Sequence, residues 1–349
     1  MSQPDEHAKR HHRRASFTEE QQLYRPLTVE EDRQRTNIHY EQPVEFFYAL
    51  TGGDWNVYSA NLWTGSETET QSQERKLDLL AELMELRPGM RILDVGCGWG
   101  GPLVYLSKKY GVRGVGLTLS SLQKGAADER IAAHGADVTI VESHWKDYQD
   151  DEPFDVVFTD EVIVHFHDLG DFFQKVYGML RDGGVMLNKE LHFAHARYSE
   201  MTRAMSFINE LYGQTGNYRT LAEELTLAGE AGFDVAAIRQ MPLKEYQKTI
   251  DHWLANIKAN RARLEEVVGR ETFRRFQTYL QLCHHIHGGT RMTLDLVVCR
   301  KPMPVAGPAL VARNSWGRSS TLTSNGGASA DRATAGRCRT TRSGKATAG

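Results

Sequence analysis

An α/β fold with a seven-stranded, mainly parallel sheet and helices inserted over one end of it is what this sequence predicts. Two observations carry the prediction. Short β-branched apolar runs alternate with helical stretches, the pattern of βαβ units. A glycine-rich run also follows the first of those strands directly, where the chain turns into a helix. The clearest strands are expected at 91–95 (RILDV), 113–117 (RGVGL), 138–141 (VTIV), 155–159 (DVVFT) and 184–188 (GVMLN). Helices are expected between them at 102–110, 121–134 and 169–180. Two later runs, 234–239 and 293–299, complete the seven, the last one expected antiparallel at an edge. The stretches at about 200–230 and 245–290 are helical in composition and are expected to roof a pocket at the carboxyl ends of the strands, where open α/β sheets bind ligands.

The ends of the chain read differently. Residues 1–25 mix His, Arg and Glu without apolar periodicity and are expected to form a disordered arm. Residues 303–349 are mostly Ser, Thr, Gly, Ala and Arg and cannot bury enough surface to offset their ordering entropy, so a disordered low-complexity tail is expected there. That leaves 26–302 as the folded unit.

Charge and composition exclude several functions. With 42 Lys and Arg against 45 Asp and Glu, the net charge of -3 offers no global positive field, and no nucleic-acid partner is expected. No apolar run reaches the roughly 18 residues of a membrane span, and the N-terminus lacks a signal-type apolar segment, so the reading is a cytoplasmic protein without stable membrane insertion. The sequence still allows transient membrane contact and an oligomer. Cys97, Cys283, Cys299 and Cys338 show neither a disulfide framework nor zinc-type spacing, and no metal is expected.

The run Leu93-Asp-Val-Gly-Cys-Gly-Trp-Gly-Gly101 ends the first strand and opens a helix. Gly96, Gly98 and Gly100 permit a tight turn and close approach of a ligand, with the helix's positive end beside it. A bare G-x-G-x-G is shared with dehydrogenases, but with Asp94 before it the whole run resembles motif I of the S-adenosylmethionine methyltransferases. After the second strand a dinucleotide enzyme offers an acidic residue to the ribose. This chain instead has Gly116-Leu-Thr-Leu-Ser-Ser-Leu-Gln123, which is similar to the G-L-T-L-S-x-x-Q pattern of the cyclopropane-fatty-acid-synthase family. Ile38-His-Tyr-Glu-Gln-Pro-Val-Glu-Phe-Phe47 resembles that family's H-Y-D-x-x-x-x-F-F segment, and Val57-Tyr-Ser-Ala60 its Y-S-C turn. The resemblance spans about 36–301.

It implies a Rossmann-like class I methyltransferase with S-adenosylmethionine as cofactor. Thr118, Leu119 and Gln123 would then contact its ribose and adenine, Trp145 would lie beside the adenine, Tyr58 and Ser59 would close over its methionine part, and Asp94 and Asp160 would join Gly96, Gly98 and Gly100 around it. In that family a methylated alkene becomes a carbocation that loses a proton, commonly to a bound bicarbonate. The resemblance keeps two of the bicarbonate ligands, Tyr246 and Cys283, although both also suit a helical core. Three others differ: Ala60 stands at a Cys, Val164 at a Glu, and Lys189 at a His.

A replacement base is offered by Asp160 and Glu161 after the fourth strand. Asn188-Lys-Glu-Leu-His192 is expected to bring Lys189, Glu190 and His192 to the same mouth, Lys189 as a substrate-anion ligand and Glu190 as an alternative base. His165 is a further catalytic candidate, and Phe166 and Trp253 suit an apolar substrate. The expected function is carbon methylation of the double bond of an apolar lipid or isoprenoid, with a prenyl diphosphate favoured. The alternatives are a cyclopropane synthase on unsaturated acyl chains, an N- or O-methyltransferase of a small natural product, and a cofactor-binding protein without catalysis.

Overall fold

A computed structural model of the chain describes residues 28–201 and 217–304. The arm expected at 1–25, residues 202–216 of the roof expected at about 200–230, and nearly all of the tail expected at 303–349, Cys338 included, lie outside the described residues.

The sheet has seven strands in the order β3-β2-β1-β4-β5-β7-β6. They are β1 (Arg91–Val95), β2 (Arg113–Thr118), β3 (Val138–Glu142), β4 (Phe154–Asp160), β5 (Leu180–Phe193), β6 (Asp234–Met241) and β7 (Met292–Arg300). The first five are parallel, with Asp94 opposite Gly116 and Asp160 opposite Lys189, so these side chains gather at one edge of the sheet. β7 runs antiparallel between β5 and β6 rather than at an edge as expected. The reason is visible in its residues: MTLDLVVCR is buried on both faces, which only a central strand achieves, whereas the first seven residues of β6 are exposed. β5 is also far longer than the five residues expected. Its polar continuation, Asn188 to His192, reads as a loop in sequence but is buried strand, because each polar side chain finds a partner there.

Helices cover both faces. On one lie α3 (Glu69–Leu83), α4 (Gly101–Tyr110) and α5 (Ser121–His134), packing Leu77, Leu80, Leu103 and Ala127 against Ile92, Leu187 and Leu296. On the other lie α6 (Leu169–Met179) and α7 (Leu221–Glu230), whose Phe172, Phe173 and Ala228 meet Leu93, Val95 and Val297. Leu221–Glu230 therefore belongs to the sheet's helical layer rather than to a roof, because its apolar stripe is spent on α6 and the sheet. Beside the glycine loop stands a third cluster, formed by α2 (Val44–Thr51), α8 (Leu243–Ala259), α9 (Arg261–Val268) and α10 (Arg270–His287). Phe46, Phe47, Trp253 and Phe276 pack there against Trp99 of the glycine run. Ahead of it α1 (Val29–Tyr40) starts with a capping box between Thr28 and Glu31. No described helix is long and apolar enough to cross a membrane.

One buried network locks β5, β7 and α7 together. His192 Nε2 meets Glu224 Oε2 at 2.5 Å and its Nδ1 meets Asp295 Oδ2 at 3.1 Å, while Asn188 donates to Glu224 at 2.9 Å. Burial by itself would lower the proton affinity of His192, but Asp295 and Glu224 outweigh it and hold its pKa up to about 9. A group whose folded pKa exceeds its unfolded value of 6.5 contributes fully below that value and loses its contribution as pH rises towards 9. The melting temperature is therefore expected to fall between pH 6.5 and 9, and His192→Gln to flatten that fall; parallel thermal scans of both proteins across the range check it.

Candidate active site

The carboxyl ends of β1, β2 and β4, the segments 56–59 and 143–145, and α1 surround a cavity that encloses about 1070 Å³, its solvent mouth included. The glycine loop shapes its floor. Gly96 (φ 87°) and Gly98 (φ 54°) both take the left-handed conformation that glycine adopts without penalty. A Cβ on Gly96 would stand 2.7 Å from the Val162 methyls, while one on Gly98 would meet open space.

Most residues expected around the cofactor line this cavity: Tyr58, Ser59, Asp94, Gly96, Gly98, Thr118, Leu119, Gln123, Trp145 and Asp160. Gly100 does not line it. Its left-handed φ of 74° starts α4, and a Cβ there would press on Ala127 at 2.9 Å, so it serves helix packing. Gln123 is buried, and its Oε1 accepts from the Thr118 hydroxyl at 2.6 Å, which aims the amide group. Trp145 packs against Phe166 and Phe172 at ring distances of 5.5 and 5.3 Å, which fixes the plane it offers the cavity. Burial and the neighbouring Asp160 charge push the Asp94 carboxyl well above its usual range. From α1, Asp32, Thr36 and Tyr40 complete the wall, with Asp32 tied to His144 at 3.0 Å.

Of the expected catalytic and substrate residues, Glu161, His165 and Phe166 line the same cavity. Burial lowers His165, which keeps its imidazole neutral. Glu161 has φ 60°, rare for a residue with a side chain, and strain of this kind persists only where the surroundings enforce it. Its Oε1 accepts the Ala60 N–H at 2.8 Å and the Lys189 ammonium, while its own N–H donates to the Lys189 carbonyl at 2.7 Å. No described residue donates to its other oxygen.

Lys189 requires a correction. It is fully buried within β5 and holds Asp160 Oδ1 at 2.9 Å as well as Glu161, so it is not at the mouth and its charge is already matched by two carboxylates. Nor does Glu190 sit at the mouth. It is buried in the strand, accepts the N–H groups of Val164 at 3.1 Å and Leu191 at 2.9 Å, and is pushed up to about 8 by burial and by the Glu161 charge, so it is protonated at neutral pH. Tyr246 and Cys283 belong to the helical cluster behind the cavity, Tyr246 edge-on to the His287 ring at 4.5 Å and Cys283 pushed up to about 12 by burial. Trp253 backs the Tyr58 ring at 4.9 Å rather than lining the cavity.

Sequence reasoning missed Lys76. Its ammonium, buried beneath the cavity wall, contacts Asp160 and donates to the Ser59 hydroxyl at 2.8 Å. The signal was present: residues 72, 76 and 80 follow at one-turn spacing on the apolar stripe of α3, and a lysine on such a stripe needs an anion. Burial lowers Lys76, Asp160 acting against it; in turn burial would raise Asp160, but Lys189 and Lys76 hold it well below the usual carboxylate range.

The Gly96 geometry gives a direct test. Gly96→Ala is expected to cost about 1–3 kcal/mol in denaturant unfolding, because the new methyl meets Val162 in a left-handed backbone, and to weaken binding of S-adenosylmethionine in calorimetry.

The chain's relatives agree with this geometry. Residues 28–294 match the family model described as mycolic acid cyclopropane synthetase. The chain is 28% identical over 276 residues to "Cyclopropane mycolic acid synthase 1" of Mycobacterium tuberculosis, covering 75% of this chain and 95% of that one. It is 27% identical over 278 residues to a "Probable fatty acid methyltransferase" of Pseudomonas putida, covering 78% and 70%. Among solved structures, mycolic acid cyclopropane synthase CmaA1 complexed with SAH and CTAB superposes with a TM-score of 0.72 at 26% identity, over 77% of this chain and 98% of that one. The chain belongs to the mycolic acid cyclopropane synthetase family and, with it, to the class I S-adenosylmethionine-dependent methyltransferases.

Proposed function

We propose that this enzyme methylates a carbon–carbon double bond in an unsaturated acyl lipid and that Glu161 is the base that completes the reaction. The observation that carries the reading is the Glu161 carboxylate, fixed at the cavity wall through one oxygen by Ala60 and Lys189 while no described residue donates to the other. The relatives support the substrate class, since two of them are named for fatty or mycolic acids. The prenyl diphosphate favoured from the sequence loses part of its support, because the lysine expected to hold its diphosphate is already paired with Asp160 and Glu161.

The residues fit the cofactor well. Gly98 leaves room for close approach, Trp145 offers a ring face to adenine, Gln123 presents its oriented amide, and Tyr58, Ser59 and Asp94 line the same cavity. When bound, S-adenosylmethionine supplies an electrophilic methyl group. The alkene's π electrons would form the new C–C bond to that methyl as its bond to sulfur breaks, the bonding pair staying on sulfur as a neutral thioether, and the substrate is left a carbocation. The nearby Asp160 and Glu161 charges stabilise it electrostatically, and Phe166 contributes an aromatic face. Glu161 then takes a proton from carbon, and the C–H electrons close a ring or a new double bond.

With its own carboxylate in place, the enzyme has no need of a dissolved base. Glu161→Gln is expected to lower kcat by about 10²–10⁴-fold while leaving S-adenosylmethionine binding intact. Wild-type turnover should be unchanged in buffers stripped of bicarbonate. Methyl-labelled cofactor offered to unsaturated phospholipids and acyl thioesters, prenyl diphosphates and amines reads the substrate class. Label confined to the diphosphate or amine arm refutes the acyl reading, and full activity in Glu161→Gln refutes the base.

A further inference from the structure

Asp160 and Glu161 together take five hydrogen bonds from four donor groups, and the distribution is uneven. Asp160 Oδ2 accepts from Lys76 and from Ser59 at 2.8 Å, and its Oδ1 from Lys189 at 2.9 Å. Glu161 Oε1 takes the Ala60 N–H at 2.8 Å and its share of Lys189. Lys189 is thus divided between two carboxylates. Both lysine side chains are wholly out of solvent, where an ammonium is drawn strongly to whichever anion lacks a counter-charge. The division is stable because Lys76, reaching in from α3, neutralises the far side of Asp160.

We propose that Lys76 is a positioning residue for methyl transfer: it satisfies Asp160 and thereby leaves Lys189 to hold Glu161 in the orientation from which its open oxygen takes the substrate proton. The inference rests on the reading of Glu161 as the base. Removing the Lys76 charge draws Lys189 onto Asp160. The Glu161 carboxylate then keeps only the Ala60 N–H, while the backbone bond from Glu161 N–H to the Lys189 carbonyl remains, and the carboxylate leaves its place on the cavity wall. The opposed shifts of the partners fit this picture, since burial lowers Lys76 whereas Asp160 and Glu161 raise Lys189 above its ordinary value against its own burial.

The test is a kinetic double-mutant cycle with Lys76→Gln, Glu161→Gln and the double variant, read as kcat and KM for S-adenosylmethionine in the methyl-label assay. Melting temperature and calorimetric cofactor binding serve as checks of folding. Lys76→Gln is expected to lower kcat about tenfold or more while KM for the cofactor shifts less than about threefold, and to add less than about threefold to the loss in the Glu161→Gln background. Lys76→Arg, which keeps the charge, is expected to retain kcat within about fivefold. Should the glutamine variant fail to fold, Lys76→Met, with no polar atom to leave unpaired, takes its place in the cycle. An unchanged kcat in the neutral variants, or losses that multiply in the double variant, overturns the proposal. Full activity in Glu161→Gln alone is a different result: it removes the base itself, and this proposal with it.

Discussion

Two ammonium ions and two carboxylates enclosed at the end of β4 are the constraint to which the rest of this site conforms. Charges removed from water survive only when each is paired and hydrogen-bonded, so the chain has to deliver Lys76, Lys189, Asp160, Glu161, Ser59 and the Ala60 N–H to one place together. Four separate segments are thereby tied: α3, the turn after Tyr58, the end of β4 and the middle of β5. The cavity wall owes its shape to that knot. The left-handed backbone at Glu161 is a direct consequence, because only that turn lets a residue following Asp160 aim its carboxylate back at Ala60 and Lys189.

Around this polar knot several titratable groups are held neutral: Glu190 is protonated by burial, His165 is neutral, and the Cys283 thiol keeps its proton. Asp160 and Glu161 bring carboxylates to the cavity wall beside Phe166, and Asp32 brings another from α1. An interior of this kind favours a developing positive charge on an otherwise greasy substrate. Of the two carboxylates at the end of β4, Asp160 accepts three hydrogen bonds, while Glu161 has one oxygen to which no described residue donates; on the proposed mechanism this divides their labour between electrostatic support and proton acceptance. The same economy explains why a lysine stands at position 189: its work is internal.

The cap contributes differently. α2, α8, α9 and α10 form a hydrophobic cluster of their own, and its contact with Trp99 couples that cluster to the glycine loop. Tyr58 links the two regions, with Trp253 behind it and the cavity in front. Tyr246 and Cys283, expected as ligands by family resemblance, stand in this layer, and burial together with the nearby Glu161 raises the Tyr246 phenol well above its ordinary value.

Local sequence determined a great deal here. The alternation of apolar runs with helices, the glycines at 96 and 98, and the order Thr118, Leu119, Gln123 depend on backbone conformation and short spacing, and they are legible as such. Long-range pairing was not legible. That β7 slots between β5 and β6, that β5 runs on through Lys189 and His192, and that Lys76 lies under Asp160 depend on which side chains meet across separations from 28 to 103 residues of chain, and no local pattern encodes such meetings. The polar run after residue 188 illustrates the physical reason. In sequence, charge implies solvent, whereas in the folded protein each of those charges is offset by a partner from elsewhere, and only the tertiary structure decides which partner that is.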